Sequence, residues 1–85
     1  MIQQLEEFND HLLEPYRALK DKQLAHEFDL FAVEGEHLVR RLLASDYEVH
    51  SVLMTRYRHE KDTWDIPEDV PVYLADSSLI SALVG

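Results

Sequence analysis

The chain contains no cysteine, which excludes a disulfide scaffold, a thiolate metal site and a cysteine nucleophile. Glycine is nearly as scarce. Gly35 and the terminal Gly85 are the two present, too few to write a dinucleotide-binding G-x-G-x-x-G or a phosphate loop ending in Gly-Lys-Ser/Thr. No unbroken apolar run exceeds four residues, far short of the roughly 18–20 needed to cross a bilayer as a helix, so no membrane partner is expected. Basic residues are missing from both ends: residues 1–15 hold four acids and no Lys or Arg, and residues 62–85 hold five acids and none. An acidic N-terminus is unlike a secretory or organellar leader, and the expected location is the cytoplasm.

What is present describes a small globular chain. The 85 residues are 46% hydrophobic and 29% charged, ordinary values for one domain with a thin core. The net charge of −9 is unfavourable for gripping polyphosphate, yet all eight Lys and Arg lie between Tyr16 and Lys61, where eight acids balance them. A basic face can therefore form only from the middle of the chain.

Hydrophobic spacing predicts the elements. Ile2, Leu5, Phe8, Leu12 and Leu13 recur at helical intervals with acids between them, which predicts an amphipathic helix over residues 1–15 closed by Pro15. Leu19, Leu24 and Phe28 continue a weaker pattern. Leu30–Val33 reads as a buried strand ending near Gly35. A helix should follow, with Leu38, Val39, Leu42 and Leu43 on the core face and His37, Arg40 and Arg41 pointing away. Glu34 and Glu36 suit the positive end of its dipole. Glu48–Thr55 reads as a second strand, Arg56–Asp69 as a charged loop, and Val70–Leu74 as a third strand entered through Pro71, a residue suited to an edge or a strand start. Asp76 or Ser77 can cap a last helix, Ser78–Val84. This order of strands and helices predicts a small α/β fold with a mostly parallel sheet.

Few chemical motifs survive inspection. His26-Glu27 and His59-Glu60 each lack the second histidine of a zinc protease, since Leu30 and Thr63 stand one turn on, so no metal site is expected. Ser77, Ser78 and Ser81 have no neighbouring histidine in the sequence, and no catalytic centre stands out.

One constellation remains. Phe31-Ala32-Val33-Glu34-Gly35-Glu36-His37-Leu38-Val39 is preceded by Leu19-Lys20-Asp21-Lys22 and followed by Ser51-Val52-Leu53-Met54-Thr55. The order Leu-Lys-x-Lys, then Leu-Phe-x-Val-Glu-Gly-Glu-x-Leu-Val-Arg, then a Val-Leu-Met strand resembles the N-terminal substrate-binding domain of SpoU-type (TrmH-like) RNA 2′-O-ribose methyltransferases of the SPOUT class. The likeness extends over residues 16–85. Two positions depart from it, Ala25 and Asp29, where such relatives often carry Arg and Gly. The resemblance implies an αβα sandwich, similar to RNA-binding ribosomal proteins, that captures ribosomal or transfer RNA. Phe31, Glu34 and Gly35 would be its structural motif. It further implies that S-adenosylmethionine binds a separate C-terminal catalytic domain, with which this domain would pair, and that the full-length protein could form a homodimer. The chain ends at Gly85 directly after Leu83 and Val84, and is expected to be truncated before that domain, without cofactor and without activity by itself.

For RNA contact the candidates fall into three groups: Arg17, Lys20 and Lys22; His37, Arg40 and Arg41; and Arg56, Arg58 and Lys61, with Tyr57 offering a ring for base stacking. Whether the groups share a face depends on topology. The competing reading is a protein-interaction or dimerisation domain of the same enzyme, whose acidity keeps RNA away.

Overall fold

Two short apolar runs, Val52–Met54 and Val72–Leu74, pair in parallel and bury side chains between the layers, and the exposed segment Ile2–Gln4 adds a third strand at the edge. The computed structural model describes residues 2–18 and 35–84. The expected strand Leu30–Val33 and the positions Leu19, Leu24 and Phe28 lie outside them. Strands β1 (Ile2–Gln4), β2 (Val52–Met54) and β3 (Val72–Leu74) lie in the order β1-β3-β2, both pairings parallel, with Val72 in register with Ile2 on one side and Val52 on the other. The central position of β3 explains why all three of its residues are buried, the usual condition of a parallel strand covered on both faces. Pro71 stands just before β3, where its missing N–H costs no ladder bond, and its carbonyl accepts from the Val52 amide at 3.0 Å. The other elements among the described residues are a 3-10 turn (His11–Leu13) and the helices α1 (Glu14–Ala18), α2 (Glu36–Leu43), α3 (Arg56–Lys61) and α4 (Ser77–Val84).

Alternation along the strands divides the core in two. Val52, Met54, Val72 and Leu74, with Val70, form one cluster, against which Leu43 of α2, Val49, Trp64 and Ile66 pack. Tyr73 faces the other way and joins Leu5, Leu13 and Leu83, with Leu12, Tyr16, Leu53, Leu79 and Val84 around them. Tyr16 ties the second layer to the start of β2, its hydroxyl 2.6 Å from Ser51 Oγ. Burial pushes that phenol up to about 12 from its ordinary 10.0, against the opposing pull of the Ser51 hydrogen bond. Helix α4 begins where expected. Asp76 accepts from the Leu79 amide and the Ser78 hydroxyl, each at 2.8 Å, and the first of these bonds is the main cause that holds its carboxyl below the ordinary range.

Five sequence expectations need correction here. The N-terminal segment is not an amphipathic helix over 1–15: Ile2–Gln4 pairs with β3, and the Leu5 amide donates to the Leu74 carbonyl at 2.8 Å. Pairing to a strand seventy residues away outweighs a spacing that suits a helix, and it drives Leu5 into the core. Pro15 opens α1 rather than closing a helix, because an amide in the first turn has no intrahelical acceptor to lose. Arg56–Lys61 is a helix, not loop, capped by Thr55 Oγ1, which accepts from the Arg58 amide at 3.1 Å. Leu38 is not in the core but 51% exposed, because among the described residues α2 meets the core cluster through Leu43 in its last turn. The second and third strands are also shorter than expected, three residues each.

Candidate nucleic-acid interface

Gly35 sets the start of α2. Its φ of +94° is a conformation that side chains rarely adopt, although nothing lies within 4 Å of where a Cβ would stand, so the requirement for glycine is one of backbone conformation rather than space. One residue later, Glu36 accepts two arginines. Arg58 of α3 reaches Oε1 at 3.2 Å, and Arg40, one turn along α2, lies 3.7 Å from Oε2. Arg40 does more than pair. Its guanidinium lies over the Trp64 ring, 4.1 Å from the centroid, and donates to the Thr63 carbonyl at 3.1 Å. Trp64 in turn donates its indole N–H to the Arg58 carbonyl at 3.0 Å. A carboxylate, two guanidinia and an indole thus fasten α2 to α3.

Helix α3 also reaches across the sheet. Arg56 donates to the Gln4 side-chain oxygen at 2.9 Å, from the carboxyl end of β2 past β3 to that of β1, and pairs with Glu60 at 3.4 Å. The Lys61 ammonium lies 5.8 Å from the Tyr57 ring centroid, and that ring is 70% exposed. On the outer side of α2, His37, Leu38, Arg40, Arg41 and Ala44 line an open depression of about 410 Å³. A smaller one of about 90 Å³ is lined by Arg40, Leu43, Ala44 and Asp65.

The second and third basic groups are therefore brought together, joined through Glu36 and Trp64. Arg17 is not with them. It belongs to α1 on the opposite face of the sheet, where it donates to the carbonyls of Phe8 and Asp10 at 2.5 and 2.9 Å and lies over the Phe8 ring. Lys20, Lys22, Phe31 and Glu34 fall outside the described residues. The expectation that Arg40 points away from the core is corrected as well: its guanidinium is half-buried against Trp64. The positive charge left most available among the described residues is that of Arg41 and Lys61, with His37 beside the former.

Sequence reasoning missed Trp64 and Gln4. A single tryptophan inside a charged stretch was a visible signal for the first, since so large an apolar ring rarely stands in a loop without packing on something. Nothing local marked Gln4, whose role comes from an arginine 52 positions away. Among the described residues no group of His, Asp and Glu is placed to hold a metal ion. No helix of the described residues is long and apolar enough to cross a membrane. Set against known proteins, the chain matches no family model and no curated protein.

Proposed function

We propose that this chain is the RNA substrate-binding domain of a SpoU/TrmH-like RNA 2′-O-ribose methyltransferase, acting in the cytoplasm on ribosomal or transfer RNA. In this reading an αβα sandwich of the ribosomal-protein type holds the RNA, and a separate C-terminal domain binds S-adenosylmethionine and performs the transfer. The observation that carries it is the apposition of α2 and α3, which gathers Arg40, Arg41, Arg56, Arg58, Lys61 and the exposed Tyr57 on the β2 side of the sheet. Glu36 and Glu60 lie among these cations and pair with Arg40, Arg58 and Arg56, while Glu6, Glu7 and Asp76 follow β1 and β3. Cations on neighbouring helices contact phosphates, and phosphate contacts position a nucleic acid without reading its sequence.

Salt dependence tests this. Affinity for a folded ribosomal or transfer RNA fragment, followed by fluorescence anisotropy, should fall with ionic strength with a log–log slope of about −0.7 to −0.9 for each phosphate neutralised. Arg41→Glu combined with Lys61→Glu should weaken binding roughly tenfold or more and flatten that slope. Both residues are exposed, so stability should stay within about 0.5 kcal/mol per substitution. Arg40 is unsuited to this test because it supports Trp64. The exposed Leu38 and Ile2 favour the second reading, an apolar contact with another protein chain. Salt-insensitive association with a protein, and no association with RNA, would establish that reading and end the first.

A further inference from the structure

We propose that Tyr57 is a stacking platform for an unpaired base, so that the substrate of this surface is looped or single-stranded RNA rather than duplex; the proposal rests on the RNA-binding reading above. The other aromatic side chains among the described residues are placed differently, Tyr47 in the turn after α2 and the rest against neighbours. Tyr73 is in the core, Tyr16 is held by Ser51, Trp64 is covered by Arg40, and Phe8 lies under Arg17. Tyr57 alone of those on the β2 side projects from a helix with most of its ring in solvent, and its hydroxyl has no hydrogen-bond partner among the described residues. Packing does not explain it, since α3 contains no buried residue.

Its surroundings supply what stacking on a nucleic acid needs. Lys61, one turn along the same helix, lies over the ring at 5.8 Å from its centroid, and its ammonium can turn to the phosphate next to a base stacked on that ring, while Arg58 and Arg56 flank Tyr57 in sequence. A duplex offers no free base face, because each base is already stacked between its neighbours; phosphate contacts alone would serve it, and the ring would contribute nothing. An exposed ring among cations therefore favours an unpaired segment.

The test compares an RNA stem–loop with the blunt-ended duplex of the same stem, on the full chain and on Tyr57→Leu and Tyr57→Phe. The stem–loop should bind more tightly than the duplex. Tyr57→Leu should weaken stem–loop binding about 5- to 150-fold, the range expected for one base stacked on one ring, and leave duplex binding unchanged. Tyr57→Phe should retain most of the affinity, since it keeps the π-face and loses only the hydroxyl. Thermal melts of all three proteins should coincide. If both RNAs bind in a salt-dependent way and Tyr57→Leu binds the loop as well as the parent does, the platform is overturned while the RNA reading stands. If Tyr57→Phe loses as much as Tyr57→Leu, stacking is likewise overturned. If neither RNA binds, both proposals fall together.

Discussion

Leu13 and Leu83, from the two ends of the chain, are completely buried on one face of the sheet, whereas α2, over the other face, has no fully buried residue. The first face is closed by apolar contact with α1 and α4, reinforced by one short hydrogen bond from Tyr16 to Ser51. The second is closed by Val49, Trp64 and Ile66, with α2 adding Leu43 and then fastening itself to α3 through Glu36, Arg40, Arg58 and Trp64. Burial of apolar area is strong and indifferent to salt, while partly exposed ion pairs each contribute about 0–1 kcal/mol and are screened. Both faces of the sheet bury an apolar cluster, but α4 is held by burial whereas α2 is held largely by partly exposed charge. The α2–α3 side carries charge that an anionic ligand can engage at small cost to the fold.

The sharpest way to break this contrast is to cut one leucine from each side. Leu83→Ala should lose about 2–5 kcal/mol in a denaturant titration, because its neighbours cannot all collapse into the space. Leu38→Ala on α2 should change stability by no more than about 0.5 kcal/mol. Equal losses would show that α2 is as firmly packed as α4.

Alkaline pH offers the next largest effect, confined to the first face. The Tyr16 phenol ionises at its ordinary 10.0 in the unfolded chain but near 12 in the folded one, so the unfolded chain releases its proton first as pH rises. The contribution of neutral, buried Tyr16 is complete below pH 10 and is lost as pH climbs toward 12, in total roughly 2–3 kcal/mol. Tyr16→Phe should remove that part of the slope in melts taken across this window. A parent protein with the same slope as the variant would place the phenol in solvent.

The smallest effect belongs to the second face. Glu36→Gln removes the charge shared by Arg40 and Arg58, and should cost about 1 kcal/mol or less at low ionic strength, with the difference vanishing in high salt. A loss that persists in high salt would mean that the clamp is structural rather than electrostatic.

Particular residues explain how far the sequence could be read. Val52-Leu53-Met54 and Val72-Tyr73-Leu74 are visible as strands because apolar runs bounded by charged or proline-containing stretches have few other uses in so short a chain. Asp76 announces α4 because its side chain suits a free amide at a helix start, ahead of an apolar run. Ile2-Gln3-Gln4 could not be recognised: its ladder partners lie on β3, and no local pattern encodes a pairing with Val72. Helix α3 was hidden for the opposite reason, since Arg56–Lys61 has no apolar stripe and relies on Thr55 and on Glu36, Gln4 and Trp64 from elsewhere. Of the site, the amino acids were legible and their grouping was not. Arg17 and Arg40 look alike in sequence, yet they stand on opposite faces of the sheet and both are occupied by their own neighbourhoods.

By itself the sequence determined composition and chemistry: no thiol, no glycine-rich nucleotide loop, acids at both ends, every lysine and arginine between Tyr16 and Lys61, and an α/β order of elements. Those properties follow from residue identity and local spacing. Only the tertiary structure decided that the N-terminus is a strand, that β3 is central, that Arg40 belongs to Trp64, and that α2 and α3 share a surface from which Arg17 is excluded. These depend on contacts between residues distant along the chain, and such contacts form only when the whole sheet assembles and each segment exchanges water for its partners.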